Sequence, residues 1–414
     1  MISVDGAPRI LGVGTAVPEH VVSQAQAREF AGRMFRRHHP DIERLLPVFD
    51  HAGVEQRHFC VAPDWFDEPH SFGERNDLYV RHALSLSIDA ARRALADAGV
   101  DASDIGTVLF VSTTGMATPS LDARLALALG CPVDVRRDAT FGHGCAGGVG
   151  GLARAATFSR ADPDRAVLLV ATELCGLTFQ GDDWSKANFV STSLFADGAA
   201  AVVVGGDRVA GATGGPMIVA DSCILWPDTE DVMGFEFTDR GLEVVLSRSV
   251  PQLVRERFAA SVETVCQRAG IAVSDLGHHL LHPGGAKVLD AYLEVLPLHA
   301  TQLRWSREVL RTHGNMSAPD CPCSMAPRPR RRRSLRFDHA ISPRRCSATQ
   351  ATVALTSRWP RNGGIRITTA ARRVQQRSQD PSPTPARDRR QPDRRRPRTS
   401  PRPSLREART TPWG

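Results

Sequence analysis

Apolar residues along this chain gather into short unbroken runs, and between the runs they recur at every third or fourth position. TVLFVST (107–113), AVLLVAT (166–172), AAAVVVGG (199–206) and HHLLH (278–282) are runs of strand length. Unbroken apolar text of that length fits strands covered on both faces. Residues 82–98 set Leu84, Ile88, Ala91 and Leu95 at spacings of three to four and stop at Gly99, which predicts an amphipathic helix. Residues 285–296 and 304–312 read the same way, the second closing before Gly314. A further helix is expected to begin near Cys145 and run through GLARAATFS. Strands alternating with helices predict a layered α/β fold.

Charge divides the chain more sharply than hydropathy does. At 414 residues it is long enough for two or three domains. The net charge of +7 averages two unlike texts. Residues 320–414 hold 24 arginines, no lysine and six acidic residues, a charge of +18, which leaves −11 on residues 1–319. The average alone would suggest a nucleic-acid binder, and it misleads. Residues 1–20 lack the basic head and apolar run of a secretory signal, and no run reaches the roughly 18 apolar residues that cross a bilayer. Nine cysteines lie scattered without framework spacing, which fits a reducing cytoplasm better than a disulfide scaffold. Cys321 and Cys323 form a CxC pair, with no further cluster to complete a zinc site.

Candidate chemistry collects in three segments: GHGCAGG (142–148), HPGG (282–285) and HGNMS (313–317). Cys145 lies between an expected strand and an expected helix. At a helix start, unpaired backbone N–H groups and the helix dipole favour an anion, and so a thiolate nucleophile. The flanking glycines permit a sharp turn and the approach of a thioester. A buried structural cysteine in a glycine-rich turn is the plainer alternative. Cys175, just after a strand end, suits a pocket wall.

His282 ends an expected strand, and Pro283, Gly284 and Gly285 turn the chain abruptly after it. Its imidazole could pair with a thiolate or donate to a thioester oxygen. His278 and His279 compete for that role, and one of them suits a satisfied core position. Asn315 could donate its neutral amide to a developing enolate oxygen; a left-handed helix cap is the alternative. His313 competes as a second histidine. Spacing alone does not prove that these side chains converge. There is no GxGxxG in a βαβ setting, no Walker A, no HExxH and no serine-centred elbow, so nicotinamide, ATP and zinc chemistry lack support.

Together these segments closely resemble type III polyketide synthases, the chalcone and stilbene synthase family of the thiolase superfamily. The resemblance runs from about residue 9 (RILGVGTAVPEH) to about residue 319. It includes VSTTGMATPSLDARLALALG (111–130), ATELCGLTF (171–179), SLFADGAAAVVVG (193–205), LHPGG (281–285) and HGNMSAP (313–319). It implies two similar α/β halves in a thiolase-like αβαβα layered fold, assembled as a homodimer. The halves would span 1–206, carrying the cysteine, and 207–319, carrying His and Asn. It further implies that Cys145 takes an acyl group from a starter coenzyme A ester. Malonyl-CoA would then decarboxylate under His282 and Asn315, extend the chain, and leave a product that cyclises to a resorcinol or pyrone. No cofactor is implied beyond the thioester substrates, and no metal. Phe195 and, more loosely, Phe237 match gatekeeper phenylalanines. Thr118 matches the loop that reaches into the partner subunit's cavity. Cys175 and Thr178 match cavity-shaping positions, and Ser317 the serine beside the catalytic centre. Small Cys175 and Thr118, with the bacterial look of residues 226–237, favour a fatty acyl starter. Arg57, with Arg44 and His51 behind it, is the candidate coenzyme A entrance; a solvated surface group is the rival reading of each.

The resemblance stops where the charge changes. Family members continue with apolar strands and a GFGPG loop, whereas DCPCSMAPRPRRRRS follows HGNMSAP here. The second half is therefore expected to be incomplete at its C-terminal end. Residues 320–414 have the composition of a disordered segment and of a shifted reading frame in a GC-rich gene. The competing reading is a basic appendage that attracts phosphate without specificity. Two functions follow: a polyketide-forming acyltransferase, or an inactive truncated homologue with a basic tail.

Overall fold

Nine strands are present in the computed structural model, which describes residues 7–209 and 215–326. They are β1 (Arg9–Ala16), β2 (His20–Ser23), β3 (Gln56–Phe59), β4 (Ile105–Val111), β5 (Arg136–Thr140), β6 (Ala166–Leu174), β7 (Asp197–Gly205), β8 (Met233–Thr238) and β9 (Gly241–Leu246). Five of them form one mixed sheet in the order β1-β7-β6-β4-β5. β4 runs parallel to β5 and β6, while β7 runs antiparallel to β6 and β1. β2 pairs with β3 and β8 with β9 as separate antiparallel ribbons. The architecture is a mixed α/β thiolase-like fold.

Three of the four expected strands are strands, and each is buried along its whole length. The reason is visible in the alternation of side chains. Val108, Phe110, Leu168, Val170, Ala201 and Val203 face one way, against Ala83, Ala90 and Ala94. Leu109, Val111, Leu169, Ala171, Val202 and Val204 face the other, against Leu152, Ala155 and Ala156. Period-two side chains on a doubly covered sheet leave no polar face, so the sequence shows an unbroken run.

Helix Phe72–Ala98 covers the first face. Ser71 and Glu74 close a capping box at its start, and Gly99 ends it in the left-handed conformation. It begins ten residues before the expected start at 82. Ala91 and Leu95 are buried as expected, together with Ala83, Ala90, Ala94 and Ala98, while Leu84 and Ile88 are half-buried. Two glycines seat the alanines against the sheet. A Cβ on Gly12 would lie 2.4 Å from Ala98 N, and one on Gly14 would lie 2.2 Å from Ala90 O. The backbone of β1 therefore rests directly on the helix, and only alanines fit between them.

The second half is built differently. Helices Val250–Arg268, Ala286–Val295 and Arg304–His313 enclose a core of Phe258, Val262, Leu281, Leu289, Tyr292, Leu303 and Leu310. The strand expected at 278–282 is a correction: among the described residues it joins no sheet. His279 and Leu281 are buried at alternate positions, as in a strand, but the backbone bonds side chains. Leu281 N donates to Ser306 Oγ at 3.1 Å, and Cys321 Sγ contacts Leu280 O at 3.8 Å. A strand needs a ladder partner, and the described part of this half supplies none. The six residues expected to open the tail form helix Asp320–Met325, with Asp320, Cys321 and Pro322 buried. The expected character of the tail beyond Ala326 lies outside the described residues.

Candidate active site

Cys145 stands in the single 3₁₀ turn Gly144–Ala146, which leads straight into helix Gly147–Ala161. Gly142 and Gly144 take positive φ values of 80° and 47° to make the turn. Gly144 N donates to Thr113 Oγ1 at 3.1 Å, which ties the turn to the residues just after β4. The next glycines serve packing rather than substrate approach. A Cβ on Gly148 would lie 2.1 Å from Ala318 O, and one on Gly147 would lie 2.5 Å from Val111 Cγ1. Their bareness lets residue 318 close onto the cysteine helix, and the asparagine segment comes with it.

That segment is held on both sides. Asn315 N donates to Leu194 O and Ala196 N to Asn315 O, each at 2.9 Å. Phe195 is thus bridged to Asn315 and half-buried beside it. Ser317 takes a positive φ of 63°, which turns its N–H onto Asn315 Oδ1 at 2.8 Å. With its oxygen occupied, Asn315 directs its NH2 elsewhere: one hydrogen reaches Gly284 O at 3.3 Å. An amide nitrogen carries two hydrogens, so the other remains to donate. Ser317 Oγ lies 3.5 Å from Cys145 Sγ. Contacts between segments therefore bring Cys145, Asn315, Ser317 and the HPGG turn together.

His282 completes the group. Its Nδ1 lies 3.2 Å from Asp320 Oδ2, an ion-pair contact whose angle falls short of a hydrogen bond. Burial alone would lower the imidazole's pKa. The closeness of Cys145 and the Asp320 carboxylate overrides burial and pushes it up to about 10. Burial also raises the Asp320 carboxyl, and the imidazole pulls it back. The direction that follows from the geometry is a charged imidazolium between Cys145 and the Asp320 carboxylate.

His278 is exposed, and the buried ring of His279 is pushed down to about 4 by desolvation, then by His278. His313 stacks on His58 with ring centroids 5.6 Å apart and bonds Thr312 Oγ1 through Nδ1. Cys175 is buried at the end of β6, where desolvation raises its thiol well above the ordinary value, with Glu173 adding to the effect. Thr178 Oγ1 donates to Cys175 O at 2.8 Å. Thr118 is exposed on a loop that Asn76 grips by both polar atoms of Met116. Phe237 lies on the β8–β9 hairpin, 59% exposed, its ring 6.3 Å from that of Phe141 beside the cysteine turn. Arg44 and His51 are exposed.

Arg57 requires correction. It is 1% exposed, donates from Nη1 to Phe195 O at 2.9 Å, and packs its stem under Gly314. A Cβ on Gly314 would meet Arg57 Cγ at 2.6 Å. Desolvation lowers its pKa to about 10, against the attraction of Asp197. It is a buried support beneath Phe195 and Asn315, not a cation at a coenzyme A entrance.

Two acids beside the site were not singled out by sequence reasoning. Glu173 accepts from Thr113 N, Thr114 N and Thr114 Oγ1 at 2.8–3.1 Å, so it braces the residue that holds the cysteine turn. Desolvation pushes its carboxyl up to about 7, partly offset by those bonds. A lone carboxylate in the run AVLLVATEL was its signal. Asp320 carried none, because it opens the text that breaks with the pattern. Among the described residues no cluster of three or more His, Cys, Asp or Glu could hold a metal ion, and no helix is long and apolar enough to cross a membrane.

Comparison with known proteins shows the family. Residues 2–208 match the family model for the N-terminal domain of chalcone and stilbene synthases, and residues 217–322 match the C-terminal domain. A putative chalcone synthase of Bacillus subtilis is 39% identical over 318 residues, which cover 75% of this chain and 87% of that protein. A 1,3,6,8-tetrahydroxynaphthalene synthase of Streptomyces peucetius is 36% identical over 316 residues, 76% of this chain and 84% of that one. The crystal structure of the Streptomyces coelicolor 1,3,6,8-tetrahydroxynaphthalene synthase superposes with a TM-score of 0.72 at 30% identity, covering 77% of this chain and 89% of that one.

Proposed function

We propose a decarboxylative condensation for this chain, which belongs to the chalcone and stilbene synthase family. The observation that carries the proposal is the joining of three distant segments around one thiol: Ser317 to Cys145, Asn315 to Gly284, and His282 between Cys145 and Asp320. Cys145 as thiolate attacks the carbonyl of an acyl-CoA starter, and coenzyme A leaves with a proton. Malonyl-CoA then loses carbon dioxide. The bonding pair moves into the thioester carbonyl, and the enolate oxygen is held by His282 and the second N–H of Asn315. The enolate carbon attacks the acyl group on Cys145, the thiolate departs, and a β-ketoacyl-CoA results. Repetition and ring closure give a resorcinol or pyrone.

A fatty acyl starter is the proposed substrate class, supported by the small side chains of Cys175 and Thr118. A homodimer is the proposed assembly, supported by the exposure of Thr118 on its anchored loop. A reducing cytoplasm suits the free thiols of Cys60, Cys145 and Cys175. A second reading, an inactive homologue, is favoured by the missing ladder at 278–282 among the described residues. Its source would be a shifted reading frame, which the coding sequence would expose as a restored apolar strand and GFGPG after residue 318.

Half-reactions separate the readings. The starter arm uses radiolabelled long-chain acyl-CoA, and the extension arm follows carbon dioxide release from malonyl-CoA. Asn315→Asp should spare starter loading and depress decarboxylation by roughly 10²-fold, because a carboxylate opposes the enolate. Equal decarboxylation by the variant would remove Asn315 from the oxygen site. Faster turnover of p-coumaroyl-CoA, or of malonyl-CoA alone, would overturn the fatty starter.

A further inference from the structure

Asp320 has no counterpart in the reaction just described, yet its side chain is wholly buried and aimed at His282. Its two oxygens do different things. Oδ1 accepts from Met316 N at 3.1 Å, inside the segment that carries Asn315 and Ser317. Its own N–H donates to Ser317 O at 3.3 Å. With one oxygen and the backbone both fixed on that turn, Oδ2 is left 3.2 Å from His282 Nδ1 and bonds no other group among the described residues. A buried carboxylate oxygen without a hydrogen-bonded partner is costly unless a positive charge faces it.

We propose that Asp320 is a positioning residue for His282, holding a proton on Nδ1 so that Nε2 is presented to the thiol and the thioester oxygen. The inference rests on the condensation reading for its consequence in the reaction. A carboxylate at Nδ1 fixes both the tautomer and the ring plane, and stabilises the imidazolium when it forms. The link runs through the Asn315 turn as well, so one residue sets the relative placement of both enolate-holding groups.

The charged and titratable neighbours are few. Cys145 faces His282 from the 3₁₀ turn and Asp320 faces it from helix Asp320–Met325. Cys321 and Cys323 sit on Asp320's own helix, and Cys175 on the turn after β6. All three thiols are raised chiefly by desolvation, and the charge of Asp320 raises each further. The same carboxylate therefore favours a charged histidine and disfavours rival thiolates around Cys145.

The test uses the full chain with ¹⁵N-labelled histidine. In Cys145→Ala the sulfur is gone, and Asp320 alone faces the imidazole. We expect His282 to remain an imidazolium to above pH 8 by ring-nitrogen NMR, with the last proton on Nδ1. Adding Asp320→Asn should lower that midpoint by two units or more, and Asp320→Glu should restore much of it. A midpoint at or below 6.5 in Cys145→Ala overturns the proposal, and so does an equal midpoint in the double variant. Should the Asn variant fail to fold, the Cys145→Ala midpoint decides alone. With Cys145 present, Asp320→Asn should slow malonyl decarboxylation by roughly 10²-fold and leave the KM for malonyl-CoA nearly unchanged. Starter label absent from Cys145, with a high His282 midpoint retained, would sink the condensation reading and leave the His282–Asp320 pair standing.

Discussion

From Ala166 to Leu174 every residue of β6 is buried, and residues 167–171 are laddered on both sides, by β4 and by β7. From 278 to 282 burial alternates, and no ladder forms among the described residues. The proposed nucleophile hangs from the first kind of structure, and the histidine from the second. Cys145 is placed from the sheet: Thr113, two residues beyond β4, holds Gly144, and Glu173 in β6 holds Thr113. His282 and Asn315 are placed by isolated contacts rather than a ladder, with Ser306, Asp320, Ser317, Leu194 and Arg57 as their anchors. A sheet spreads its support over many bonds. A set of single contacts concentrates it, so one substitution should do more harm in the second region than its size suggests.

Arg57→Ala should show the largest effect, roughly 3–5 kcal/mol of stability, because it strips Phe195 O of its buried donor and empties the space under Gly314. Arg44→Ala should leave the urea midpoint unchanged. Equal, small effects from both would restore Arg57 to the surface role and remove the support under Asn315. Leu169→Ala should follow at roughly 2–5 kcal/mol, since the sheet around a fully buried leucine cannot collapse. Leu281→Ala should fall at the low end of that range, because an unladdered segment can move inward. A larger loss at Leu281 than at Leu169 would contradict the contrast.

Proton linkage offers a gentler probe. The folded pKa of Glu173 is raised from 4.5 to about 7, so the folded state keeps a proton that the unfolded chain releases between those values. Its contribution to stability is full below about 4.5 and is lost as pH rises through about 7. Asp197, raised from 3.8 to about 6, acts in the same direction over a lower window. Thermal unfolding of the wild type minus Glu173→Gln should therefore show a falling difference between pH 4.5 and 7. A flat difference would mean that Glu173 is ionised in the fold. The mildest probe perturbs nothing: amide exchange should be slow along β6 and β7, fast at His278, Leu280 and His282, and slowed at Leu281, whose N–H is bonded.

These contrasts also explain what could be read from the text. Runs such as AVLLVAT announce doubly buried strands because both faces demand apolar residues. HHLLH announces its inward positions, yet a ladder depends on residues elsewhere in the chain. The alanines of helix Phe72–Ala98 are seated by Gly12 and Gly14, far earlier in the chain, while Leu84 and Ile88 stay half-buried. Arg57 looks like any surface arginine in EQRHF; only the positive φ of 75° and bare Cα of Gly314 make room for it inside. Cys145, His282 and Asn315 were legible as candidates because turn residues flank each of them. Their meeting depends on Gly148 against Ala318 and on Ser317 turning back, and local text carries neither.

The central claim is that these segments form one acyl-accepting site on Cys145. The most direct measurement incubates the full chain with radiolabelled long-chain acyl-CoA and maps the labelled peptide. Label should fall on the peptide containing Cys145, should vanish in Cys145→Ala, and should be discharged when malonyl-CoA is added. Label on Cys175 or Cys131, or a folded protein whose Cys145 takes no acyl group, would contradict the account.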